Sequence, residues 1–166
     1  MADPIRLRIE KKLADRFREI TPANGYQFDL SAPGQVVRGR IAIGDDDPVP
    51  LVSILEVPVP PDQHEPPFAS DTFDGPWDLI IQGWCRDDPE NPTDPGHYLM
   101  ADVKRKLAEI MRTPETSPFA NNSFLDEPKI RKMEITPGVV RPAESPSRMA
   151  FFWLSLRIHL VEKIGE

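Results

Sequence analysis

This sequence predicts an α+β fold, a mainly antiparallel sheet with two helices packed on one face and long Pro-rich loops. Three observations predict it. Two segments repeat apolar residues at helical spacing, six others carry the alternation or the β-branched density of strands, and 20 of the 166 residues are proline. That proline share is more than double the usual value of about 5%. Proline lacks a backbone N–H, so most of it falls between the regular elements.

Taking the elements in order, Asp3 and Pro4 offer a cap and a first-turn proline, and Ile5, Ile9, Leu13, Phe17 and Ile20 form one helical stripe. Thr21, Pro22, Asn24 and Gly25 stop that helix. GYQFDL (25–30) and QVVRGRIAI (35–43) then read as two strands of a hairpin around SAPG. After GDDDPVP (44–50), LVSILEVPV (51–59) reads as a buried strand. The stretch 60–76 has no period and reads as an extended loop. WDLIIQGWCRDD (77–88) returns to strand, with Trp77, Leu79, Ile81 and Gly83 on one face and Ile80, Gln82 and Trp84 on the other. Leu99, Val103, Leu107 and Ile110 define a second helix from about Pro95 to Met111, with Asp94 as its cap. A second extended loop spans 113–128. KIRKMEI (129–135) alternates Ile130, Lys132 and Glu134 against Arg131, Met133 and Ile135. In the last strand Phe152, Leu154, Leu156, Ile158 and Leu160 share one face, and Trp153, Ser155, Arg157, His159 and Val161 share the other. A chain of this length fits one domain, residues 1–166, and buries roughly two thirds of its unfolded surface.

Charge and composition exclude several functions. With 20 basic and 27 acidic residues the formal charge is −7, against a dedicated phosphate-gripping surface, because nucleic-acid affinity comes from clustered Lys and Arg. Cys85 is the single cysteine, so neither an intrachain disulfide nor a thiolate zinc cluster is expected. The start MADPIRLRIEKK puts charges where a secretory signal needs an apolar run, and no stretch reaches the ~18 apolar residues of a membrane span. Synthesis in the cytoplasm and no membrane contact are the expectation.

The run DDPENPTDPGH poses the one chemical question. Asp87, Asp88, Glu90, Asp94 and His97 include the donor types of a hard-cation site. Pro89, Pro92 and Pro95 instead mark an extended, solvated approach to a helix, and a carboxylate at Asp94 opposes the positive end of the helix dipole. The helix-entry reading is preferred, and a metal-dependent hydrolase stands as its alternative. GDDDP (44–48) reads as a turn. His64 and His159 have no serine, cysteine or acid placed by sequence to form a relay, and the glycines match no phosphate-binding fingerprint. The expectation is a non-enzyme with no cofactor and no metal.

VVRGRIAIGDDDPVPLVSILEVP, followed by WDLIIQGWCRDDPENPTDPGHYLMADVKRKLAEI, resembles a group of small tail proteins of long-tailed bacteriophages. The order of helices and strands is similar to that of the tail terminator (tail completion) family, and neck or head-completion proteins share these features. The resemblance covers most of residues 5–110. It rests on a strand ending in SILE, a strand W-x-L-x-I-Q-G, and DDP-x-N-P-T-D-P before a helix. What it implies is a structural protein of the virion, located near the neck. Usually six copies form a ring that caps the tail tube, ends its polymerisation and joins it to the head connector. Its implied partners are other copies of itself, the tail tube protein and the connector or neck protein, with DNA passing through without specific binding. Under that reading Asp45, Asp46, Asp47, Asp87 and Asp88 are candidates for the channel lining, with plain solubility as the competing explanation. Arg38 and Arg40 are candidates for pairing with acids of an adjacent subunit, or for facing solvent.

Overall fold

The structure is a computed structural model that describes residues 3–44, 46–58, 71–112, 124–142 and 148–165. The loop near 60–70, most of the 113–128 loop, His64 and Asp45 lie outside the described residues. Among the described residues the α-helices and strands are α1 (Ile5–Arg18), β1 (Val36–Arg38), β2 (Leu51–Glu56), β3 (Thr72–Arg86), α2 (Asp94–Arg112), β4 (Ile130–Ile135), β5 (Val139–Arg141) and β6 (Met149–Lys163). The sheet runs β1-β2-β3-β6-β4, and β5 lies beside β4 on the same edge of β6. Among the described residues only the β1–β2 pair is parallel. The α+β class and the mainly antiparallel sheet are therefore as predicted.

β3 and β6 form the spine. They pair over fifteen residues, from Thr72 opposite Lys163 to Arg86 opposite Met149. Alternation sends Trp77, Leu79 and Ile81 of β3, and Phe152 to Leu160 of β6 at every second residue, to the face that the helices cover. Against these residues α1 sets Ile5, Ile9, Leu13 and Phe17, and α2 sets Leu99, Val103, Leu107 and Ile110, all but fully buried. Cys85 is buried on the same face, and burial pushes its thiol up to about 12, so it stays protonated and unreactive. Among the described residues no helix is long and apolar enough to cross a membrane.

The structure corrects five sequence readings. Residues 26–30 form no strand, so there is no hairpin. Tyr26 and Leu30 instead enter the core, and the N–H groups of Gln27 and Phe28 donate to the Asp102 carboxylate, both at 2.9 Å. β1 ends at Arg38 because Gly39 turns the chain with φ of 75°. β3 begins at Thr72, so the end of the expected loop is strand. In β4 a bulge between Ile130 and Lys132 shifts the alternation, which puts Ile130 with Met133 in the core. Finally β5 is an additional strand, reached through Gly138 at φ 76°.

Candidate interaction surface

The helices cover one face of the sheet, and the other carries most of the distinctive surface chemistry. Its β2 side is closed by the chain that follows β1. The Ser53 hydroxyl accepts from the Arg40 N–H and donates to the Arg40 carbonyl, at 3.2 and 2.7 Å, which holds this segment over the sheet. Leu51 and Trp84, paired across β2 and β3 on this face, are buried accordingly.

From β6 outward none of the described segments covers the face. Arg157 donates two bonds to Asp78, at 2.7 and 2.8 Å, across the β3–β6 pair. Glu134 accepts from Lys132 at 2.8 Å and lies 3.0 Å from the His159 ring nitrogen. Further along the same face, the rings of Phe151 and Trp153 stack with centroids 5.6 Å apart and planes 24° from parallel. Arg141 stands directly across from Phe151, Val139 across from Trp153, and Arg86 across from Met149. The side-chain oxygen of Gln82, the residue opposite Trp153 on β3, is buried without a hydrogen-bond partner among the described residues.

The Arg157 bonds hold the Asp78 carboxyl below its ordinary value of 3.8. A depressed folded-state value contributes stability above the ordinary value and loses it as pH falls through the depressed one. Asp78→Asn is therefore expected to cost up to about 1 kcal/mol at neutral pH. Urea midpoints of variant and wild type should converge below pH 3.8 and at high salt.

Two of the acids singled out in the sequence, Asp47 and Asp88, accept hydrogen bonds from backbone N–H groups. Asp88 accepts from the N–H groups of Glu90 and Asn91, at 2.9 and 2.7 Å, and so closes the turn that leads to α2. The Thr93 carbonyl accepts from His97 N–H, which makes Thr93 the residue before the helix. Asp94 is thus the first helical residue and not the cap, a shift of one position that keeps it at the positive end of the dipole. Asp87 donates its N–H to the Arg148 carbonyl. Asp47 closes the 44–47 turn by accepting from Gly44 N–H at 2.7 Å, and it pairs with Arg40. Arg40 therefore meets an acid of its own chain, Arg38 is exposed at the end of β1, and Asp46 is exposed. Among the described residues no three His, Cys, Asp or Glu side chains converge as metal ligands would.

Sequence reasoning missed Phe151, Trp153, Arg86, Arg141 and Arg148. A signal was present, since Trp153 falls in the half of β6 that otherwise alternates as Ser155, Arg157 and His159. An aromatic in the polar register of a half-covered strand marks surface with a use. Fold and surface together define an α+β protein in which the described residues cover one sheet face with helices and only part of the other. No family model matches the chain, and no curated protein matches it.

Proposed function

We propose that this chain is a structural virion protein, a tail terminator whose copies close into a ring at the end of the tail tube and join it to the head connector. The observation that carries this reading is the connectedness of the three fragments behind the resemblance. SILE in β2 pairs with Leu79 to Gln82 in β3, and β3 runs through the Asp88 turn directly into α2. They are one piece of fold, the centre of the sheet with the helix on it. In that piece Asp88 closes a turn and Asp94 stands in the first turn of α2, roles that suit a scaffold.

A terminator has a definite physical task. Each ring of a growing tube exposes the surface it has just bound, so stopping growth requires a ring that matches the tube on one side and differs on the other. Heterologous contacts whose rotation closes produce such a ring. The test is to image virions that carry a labelled copy of this chain. Label at the junction of tube and connector is the expected result. Label on the connector side alone would favour a neck protein, and a chain absent from the particle would end the structural reading.

A further inference from the structure

We propose that residues 39–44 form a strap that opens independently of the core and uncovers an apolar row of the sheet, with Ser53 and Asp47 as its latch. The proposal does not depend on the ring reading above. After β1 the chain turns at Gly39, whose φ is 75° and where an added Cβ would meet no heavy atom within 4 Å. A glycine in the left-handed region with open space around it is suited to act as a hinge. Three bonds fasten the strap to β2. The Gly39 N–H donates to the Ile54 carbonyl at 2.9 Å, and the Ser53 hydroxyl serves both backbone groups of Arg40. Beyond Arg40, from Ile41 to Pro50, no hydrogen bond reaches the sheet among the described residues. Asp47 instead ties the segment to itself, accepting from Gly44 N–H at 2.7 Å and pairing with Arg40.

The strap itself buries almost nothing. None of residues 39–44 is buried, and Ile41 is 78% exposed. Beneath it the balance is reversed. Ser53 and Leu51 have no exposed surface and Trp84 is 8% exposed, although Leu51 and Trp84 stand outside the core that the helices cover. Strand register sets Leu51, Trp84 and Phe151 in one row across β2, β3 and β6. A segment with few buried apolar contacts opens at a lower free energy than the strands it lies on. Opening this one breaks two hydroxyl bonds, one backbone bond and an exposed ion pair, each of modest net worth because water replaces the partner. Once open, it joins the Leu51–Trp84 pair to the half-buried Phe151 and Trp153 rings. The strap is thus a shutter that sets how much of this apolar row is accessible.

Thiol labelling and hydrogen exchange of the full-length chain test this. Ser53→Cys and Leu51→Cys each place a thiol beneath the strap, and Cys85, buried on the helix-covered face, is the internal standard. Circular dichroism and thermal melting verify that each variant is folded, and every labelling rate is normalised to its value in denaturant. The introduced thiols should react with a charged disulfide reagent at least roughly a hundredfold faster than Cys85, and with little dependence on low urea, because opening the strap exposes little surface. Adding Asp47→Ala to Ser53→Cys should speed that reaction roughly threefold or more while Cys85 is unchanged. Wild type needs no substitution: its Gly39 and Arg40 amides should exchange through the same urea-insensitive opening, ahead of Ile81. Introduced thiols and an Arg40 amide that react only at the rate and urea dependence of Cys85 and Ile81 would make strap and core one unit and overturn the proposal. A reactive thiol at position 53 with a protected one at position 51 would confine the cover to Ser53 and end the shutter. Labelling no faster in Asp47→Ala would remove Asp47 from the latch.

Discussion

Phe152→Ala is expected to lower stability by about 3–5 kcal/mol, the range for deleting a fully buried ring, read from urea denaturation. Phe152 has no exposed surface and lies on the helix-facing side of β6, opposite Gly83 of β3. The ring extends across the neighbouring strand, so that a Cβ built on Gly83 would sit 2.2 Å from Phe152 Cε1 and 2.8 Å from Cζ. Glycine is therefore needed at 83 for space. Gly83→Ala alone should cost about 1–3 kcal/mol through overpacking, because the ring is enclosed and cannot swing aside. The diagnostic result is the combination. With the ring gone, the new methyl enters vacated volume, and the double variant should be more stable than the sum of the singles by about 1–3 kcal/mol. Additivity within about 0.5 kcal/mol would show that Phe152 does not occupy the space above Gly83.

That contact illustrates what was legible in the sequence and what was not. Period alone placed α1, α2, β3 and both faces of β6, because each buries a continuous stripe and the burial leaves a pattern. Trp77, Leu79, Ile81 and Gly83 fall on one face of β3 as the alternation predicts. Errors arose where one residue or a distant partner overrides the pattern. Gly39 in the left-handed region ends β1, so Arg38 and Arg40 do not alternate along a strand. A single inserted residue in β4 puts Ile130 and Lys132, expected on one face, on opposite faces. The candidate surface was less legible still. Arg86, Arg141 and Arg148 are far apart in sequence, and only the β3–β6–β5 register brings the first two to one face with Phe151. The acidic run drew attention because it is contiguous, while the arginine patch is assembled by pairing.

Asp102→Ala is the second large effect expected, about 2–3 kcal/mol, and it tests why residues 26–30 are not a strand. GYQFDL has the alternation of a strand, and a strand satisfies its N–H groups by pairing. Here one carboxylate oxygen from the middle of α2 accepts from both Gln27 and Phe28, while Asp102 itself is only 8% exposed. Bonds to a charged acceptor contribute more than neutral ones, and removing the acceptor leaves donors partly buried. Neighbouring contacts from α2 reinforce the docking. Tyr26 donates to Glu109 at 2.6 Å, and Arg105 donates to the Gly25 carbonyl at 2.7 Å while lying over the Tyr26 ring. The buried Lys106 bridges Glu19 and Glu109 beside the same ring. These contacts do not replace the lost acceptor, so the segment should loosen locally before the core does. Hydrogen exchange at the Gln27 and Phe28 amides is expected to accelerate in Asp102→Ala far more than exchange in β3 or β6. Asp102→Asn, which keeps an oxygen but not the charge, should fall between. Asp94→Ala, exposed in the first turn of the same helix, should cost no more than about 1 kcal/mol. If Asp102→Ala matched wild type within about 0.5 kcal/mol with unchanged amide protection, the segment would be held by Tyr26 and Leu30 burial alone. The hairpin reading would then have failed for hydrophobic reasons and not for want of an acceptor.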